Sequence, residues 1–138
     1  MSEIFADTSG WATFFLRTEP RQQEAEILVS EWREAGDRII TTNYVLAELI
    51  ALFGSPLRVP RDQQIRMIEA IRQVSWVEVV HVDPTLDQRA WQLLKQHADK
   101  QWSLVDCASF CVMRDRGITA ALATDRHFVQ AGFRALLA

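Results

Sequence analysis

Ile4-Phe5-Ala6-Asp7-Thr8-Ser9 reads as a short buried strand that stops on a carboxylate. The pattern recurs near the other end, where Ala120-Ala121-Leu122-Ala123-Thr124 runs into Asp125-Arg126-His127-Phe128. Strand segments that are apolar without alternation belong to a parallel sheet covered on both faces. Ligands of such sheets bind in the crevice outside the carboxyl ends of the strands. Two more acids interrupt apolar runs: Glu48 in Tyr44-Val45-Leu46-Ala47-Glu48-Leu49-Ile50, and Asp106 in Trp102-Ser103-Leu104-Val105-Asp106-Cys107-Ala108. A carboxylate beside apolar surface is costly to desolvate unless something positive holds it. Several meeting at one sheet edge would form an oxygen cage for a hard divalent cation.

Outward from these points, strands and helices alternate. A helix carrying Trp11, Phe14 and Phe15 follows the first strand, and Pro20 suits the first turn of the next. Gln22 to Ala35 places Ala25, Leu28, Val29 and Trp32 at helical spacing before Gly36. Arg38 to Thr42 is a strand, Asn43 to Phe53 a helix stopped by Gly54-Ser55-Pro56, and Arg61 to Val74 a helix. Trp76 to Val82 is rich in β-branched residues and reads as a strand. Asp83-Pro84 opens a helix to about Ala98, Ser103 to Arg116 is helical, Ile118 to Thr124 is a strand, and Phe133 to Leu137 is a last short one. The expected architecture is α/β: a three-layer α/β/α sandwich around a parallel sheet of about five strands.

The chain of 138 residues is long enough for one domain with a real core, spanning residues 1–138. Apolar residues at 49% and charged residues at 24% are ordinary for globular proteins, and no apolar stretch is long enough to span a membrane. No basic segment precedes an apolar run at the N-terminus, so no signal peptide is expected and a reduced, cytoplasmic setting is the default. The net charge of −3 argues weakly against a general nucleic-acid binder, because metal at the acids would reverse the local sign. Arg58, Arg61, Arg66 and Arg72 read as a solvated helix face.

Each acid has an ordinary structural role to compete with. Asp7 suits an N-cap, Asp106 completes a capping box with Ser103, Asp125 could cap the short helix through Ala131, and Glu48 could be a surface side chain. Their joint placement is what points to a site. Cys107 and Cys111 read as core packing, since no His or Cys pair elsewhere completes a tetrahedral metal site. His81 and His97 show no ligand spacing. His127 could assist the acids but reads as a surface residue, and the five tryptophans, Trp11, Trp32, Trp76, Trp91 and Trp102, read as packing residues.

Phe5-Ala6-Asp7-Thr8-Ser9, Asn43-Tyr44-Val45-Leu46-Ala47-Glu48, Trp102 to Phe110 and Ala123-Thr124-Asp125-Arg126-His127-Phe128 together resemble the conserved blocks of PIN-domain ribonucleases. The likeness is greatest to toxins of the VapC kind from bacterial toxin–antitoxin pairs, and Asp125-Arg126-His127-Phe128 followed by Gly132-Phe133 is typical of that branch. The resemblance spans almost the whole chain, with all four acidic positions filled. It implies Mg²⁺- or Mn²⁺-dependent cleavage of RNA at Asp7, Glu48, Asp106 and Asp125, and a small antitoxin that wraps the toxin; a homodimer is expected too. Asp7 and Asp106 are then the principal metal ligands, Asp125 binds a second ion or orients water, and Glu48 acts directly or through water. Thr8 and Ser103 support them through their hydroxyls. A housekeeping RNA-processing nuclease and a non-catalytic RNA- or protein-binding module are the alternatives. Asp7-Thr8-Ser9-Gly10 superficially matches aspartic proteases, which are all-β. A phosphoacceptor Asp would want a second Asp where Ser9 stands. Finally, the helices Asn43–Phe53 and Arg61–Val74 carry more apolar residues than one face of each needs, which predicts a groove for a partner helix.

Overall fold

The computed structural model describes residues 1–138. Five parallel strands, β1 (Glu3–Ala6), β2 (Arg38–Thr42), β3 (Val77–Val80), β4 (Ala120–Leu122) and β5 (Arg134–Ala135), form one sheet in the order β3-β2-β1-β4-β5. Seven helices connect them: α1 (Thr8–Phe15), α2 (Gln22–Ala35), α3 (Asn43–Gly54), α4 (Arg61–Gln73), α5 (Pro84–Gln96), α6 (Leu104–Arg116) and α7 (His127–Gln130). The chain steps outward from β1 to β3, then returns to lay β4 and β5 on the other side of β1. Right-handed crossovers therefore put α1–α4 on one face and α5–α7 on the other. The three-layer sandwich expected from the sequence is what the chain adopts.

β1 is central because it is apolar enough to be covered everywhere: Phe5 and Ala6 are fully buried. It pairs with β2 through Ile4 opposite Ile39 and Phe5 opposite Ile40, and with β4 through Ala6 opposite Leu122. The direction of winding reverses between β1 and β4, and such a reversal opens a crevice at the carboxyl end of the sheet. α1 enters that region in close contact with β4. A Cβ on Gly10 would lie 1.8 Å from the Leu122 carbonyl oxygen, so only glycine fits there. Trp11 then reaches β2, its Nε1 donating to Thr41 Oγ1 (3.2 Å), while that hydroxyl donates to the Ala6 carbonyl (2.9 Å).

Several helix starts fall close to the expected positions. Thr42 accepts from the Val45 amide, Asp83 from the Leu86 amide, and Ser103 from the Asp106 amide. Pro20 lies in the turn before α2 rather than in its first turn, because α2 begins at Gln22. The surplus apolar surface read on α3 is largely absent. Val45, Leu46, Leu49 and Phe53 are buried because α3 packs against α1, α4, α6 and β2, and only Ile50 and Leu52 of that set are half-buried. An apolar pocket lies instead between α1, α4 and β3, lined by residues that include Trp11, Phe15, Ile71, Val74 and Trp76. Trp91 is 45% exposed on α5 and is not a packing residue, unlike Trp11 and Trp102. Arg58, Arg61, Arg66 and Arg72 are exposed, as a solvated face should be. No helix is long and apolar enough to cross a membrane.

Candidate metal centre

The four acids converge on the crevice edge by different routes. Asp7 follows the last residue of β1 and caps α1; its Oδ2 accepts from the Ser9 amide at a long 3.4 Å and from the Ser9 hydroxyl at 3.0 Å. Ser9 also accepts from the Thr124 amide (3.0 Å), so one hydroxyl ties the end of β1 to the loop after β4. Asp106 sits in the first turn of α6, where Ser103 N donates to its Oδ2 (3.0 Å) in a completed capping box. Asp125 accepts from the His127 amide at Oδ1 (2.9 Å) just before α7. Glu48 projects from the middle of α3, half-buried, and takes a hydrogen bond from the Thr8 hydroxyl. Capping and clustering are thus not alternatives here, because a cap uses one carboxylate oxygen and leaves the other.

What that leaves is most evident at Asp7. The residue is 3% exposed, and its Oδ1 has no hydrogen-bond partner. Burial first, and then the Asp106 and Glu48 charges, push its carboxyl up to about 7. Glu48 is also raised, by burial and by the charges of Asp106 and Asp125, against the lowering effect of the Thr8 bond. No Lys or Arg forms an ion pair with any of the four. The N-termini of α1 and α6 offer partial positive charge nearby. A buried, orphaned carboxylate oxygen beside mutually repelling acids fits a hard divalent cation, which would remove both penalties.

His127 is the unexpected member. Its Nδ1 lies 2.9 Å from Asp106 Oδ2 and 3.2 Å from Asp125 Oδ2, so it is not the plain surface residue the sequence suggested. Asp106, Asp125 and His127 can each offer a ligand atom within 4.8 Å of the others, a possible metal site. Asp7 and Glu48 stand outside that tightest group and are joined to it through charge. The ring is held by the residue beside it: Phe128 is fully buried, with its ring centroid 5.0 Å from Phe110 and 6.4 Å from Phe5. Ser9 was also missed, and its contact with Asp7 two residues away is the only local signal it gave. Of the two expected supporting hydroxyls, Thr8 does engage an acid, whereas that of Ser103 accepts from a backbone amide.

The family model for the PIN domain matches residues 4–134 of the chain. The chain belongs to the PIN-domain family. It is 36% identical over 130 residues to the 23S rRNA-specific endonuclease VapC20 of Mycobacterium tuberculosis, covering 94% of this chain and 95% of that protein. The crystal structure of Mycobacterium tuberculosis VapC20, described as a sarcin–ricin-loop-cleaving toxin, superposes with a TM-score of 0.84 at 35% identity, over 94% of this chain and 95% of that one. FitAcB from Neisseria gonorrhoeae shares the fold, with a TM-score of 0.62 at 13% identity over 96% of this PIN-domain chain and 94% of that one. PIN nucleases are metal-dependent, and Asp106, Asp125 and His127 form a possible metal site in this member.

Proposed function

We propose that this PIN-domain chain is an endoribonuclease toxin that cleaves 23S ribosomal RNA in the sarcin–ricin loop, using a divalent cation, Mg²⁺ or Mn²⁺, held by Asp7, Asp106 and Asp125. The ribonuclease toxin function rests on 36% identity across 94% of the chain to a 23S rRNA-specific endonuclease, whose crystal structure is described as that of a sarcin–ricin-loop-cleaving toxin. The buried, unpartnered Oδ1 of Asp7 is the observation that supports the metal. Such an ion supplies charge neutralisation at the scissile phosphate and acidifies a water. The chain's own residues provide the rest. Asp7 and Asp106 present oxygens from the starts of α1 and α6, elements rigid enough to hold a fixed geometry. Asp125 completes the rim from the loop after β4, and Glu48, held by Thr8, acts directly or through a water.

Incubating ribosomes with purified protein and Mg²⁺ or Mn²⁺, then mapping 23S ribosomal RNA ends by primer extension, tests this reading. One cut in the sarcin–ricin loop is expected, lost with EDTA and with Asp7→Asn. A cut elsewhere would sink the target, and undiminished cleavage in EDTA would sink the metal. A small cognate antitoxin should rescue cells that this chain poisons, and the purified protein should run as a homodimer. Harmless overexpression of folded protein would favour an RNA-processing role.

A further inference from the structure

We propose that His127 is itself a metal ligand, so that this PIN centre binds a mixed nitrogen–oxygen donor set and favours Mn²⁺ over Mg²⁺. The proposal rests on the divalent-cation reading above and adds a residue and a selectivity to it. Three features of the molecule carry it.

The first is spacing. Adjacent donors around an octahedral ion at 2.0–2.2 Å stand about 3 Å apart. His127 Nδ1 lies 2.9 Å from Asp106 Oδ2 and 3.2 Å from Asp125 Oδ2, each the spacing of neighbouring ligands, and all three residues offer donor atoms within 4.8 Å of one another. The second is preorganisation. The His127 backbone amide donates to Asp125 Oδ1 (2.9 Å), and Phe128, fully buried, pins the start of α7 to the core. The backbone that carries the imidazole is therefore fixed beside the acids. The third is the orphaned Oδ1 of Asp7, a buried acceptor on a carboxylate electrostatically coupled to Asp106, for which His127 provides no partner. That oxygen calls for an ion at this edge of the crevice, and the spacing of His127 is what adds a nitrogen to its ligands.

The donor set then decides the metal. Mg²⁺ favours all-oxygen surroundings and gives up water reluctantly. Imidazole nitrogen suits first-row transition dications, and Mn²⁺ accepts carboxylate and imidazole together. A nitrogen in this position strengthens Mn²⁺ binding while doing little for Mg²⁺.

The test measures binding directly on the full chain. Calorimetric titration should show Mn²⁺ binding at least about tenfold tighter than Mg²⁺. His127→Asn should lower Mn²⁺ affinity by about 10–100-fold, with Mg²⁺ affinity changed much less. Electron spin echo spectroscopy of the wild-type Mn²⁺ complex should show coupling to a directly bound ring nitrogen, and the coupling should change when histidine is labelled with ¹⁵N. That measurement needs no variant, so a misfolded His127→Asn would not spare the proposal. Mn²⁺ bound without nitrogen coupling, or equal losses for both ions in the variant, would overturn the ligand role and leave the divalent-cation reading standing. Failure of the wild type to bind either ion would overturn both.

Discussion

Carboxylates gather at both ends of this sheet, and the two gatherings are built on opposite terms. At the amino ends of the strands, Glu3 on β1 and Glu78 on β3 face Arg116 from the end of α6. Its guanidinium donates to both oxygens of each at 2.9–3.0 Å, with Arg38 3.5 Å from Glu78. Arg116 holds Glu78 below its ordinary range. At the carboxyl ends, Asp7, Glu48, Asp106 and Asp125 have no Arg or Lys between them; His127 reaches only Asp106 and Asp125, and Asp7 and Glu48 are pushed up instead. An acid whose charge is compensated within the chain stabilises the fold. One whose charge is left uncompensated in a crevice makes the apo protein less stable, and such perturbed groups concentrate at functional sites.

The largest expected effects break that contrast at the crevice. Asp106→Asn keeps an acceptor for the Ser103 amide and removes the charge, so RNA cleavage should fall by at least about a hundredfold while the protein stays folded. Activity assays beside melting curves would show it, and wild-type cleavage by this variant would reduce Asp106 to a cap. Divalent ions come next. Saturating Mn²⁺, at a hundred times its Kd, should stabilise the wild type by about 2.7 kcal/mol, because it binds only the folded chain. Arg116→Ala should show the same metal-dependent gain, and Asp106→Asn should lose most of it.

How far the sequence carried this contrast follows from how local each signal is. Asp7 and Asp125 were legible because each directly follows an apolar strand, and the parallel sheet could be expected from strands that do not alternate. Asp106 and Glu48 sit inside helices, so the resemblance to a family was needed to select them. His127 was misread because its partner Asp106 is 21 residues away, brought close by the packing of Phe128 against Phe110. The Arg116 bridge was not anticipated either: Glu3 and Glu78 become neighbours only through the order β3-β2-β1, and Arg116 arrives from across the chain. The apolar excess on α3 misled because a helix touched on several sides buries more than one stripe.

A smaller effect sharpens the contrast through pH. Asp7 is ordinarily ionised above 3.8, yet in the folded chain it holds its proton to about 7. Below 3.8 both states are protonated and the group is neutral in its effect. As pH rises between those values the unfolded chain ionises first, so apo stability falls, and above about 7 the penalty is complete. Asp7→Asn should therefore stabilise the metal-free protein by about 2 kcal/mol at pH 8, with the gain vanishing near pH 4. A gain independent of pH would assign the effect to packing.

The smallest effect lies at the amino ends of the strands. Arg116→Ala strands Glu3 and Glu78 beside each other with only Arg38 near Glu78, and it should cost about 1 kcal/mol. The groups are about a third exposed, which keeps the figure low even with four charge-assisted hydrogen bonds lost. The sign with pH is opposite to that of Asp7. Glu78 is lowered in the folded chain, so its contribution is present at neutral pH and is lost as pH falls through the carboxylate range. The cost of Arg116→Ala should accordingly shrink on acidification and with added salt. Cleavage of RNA should be unchanged, since Arg116 lies at the far end of the sheet from the crevice. A variant that melts normally but cleaves poorly would show that the two ends communicate, and the division between compensated and uncompensated acids would then no longer separate structure from function.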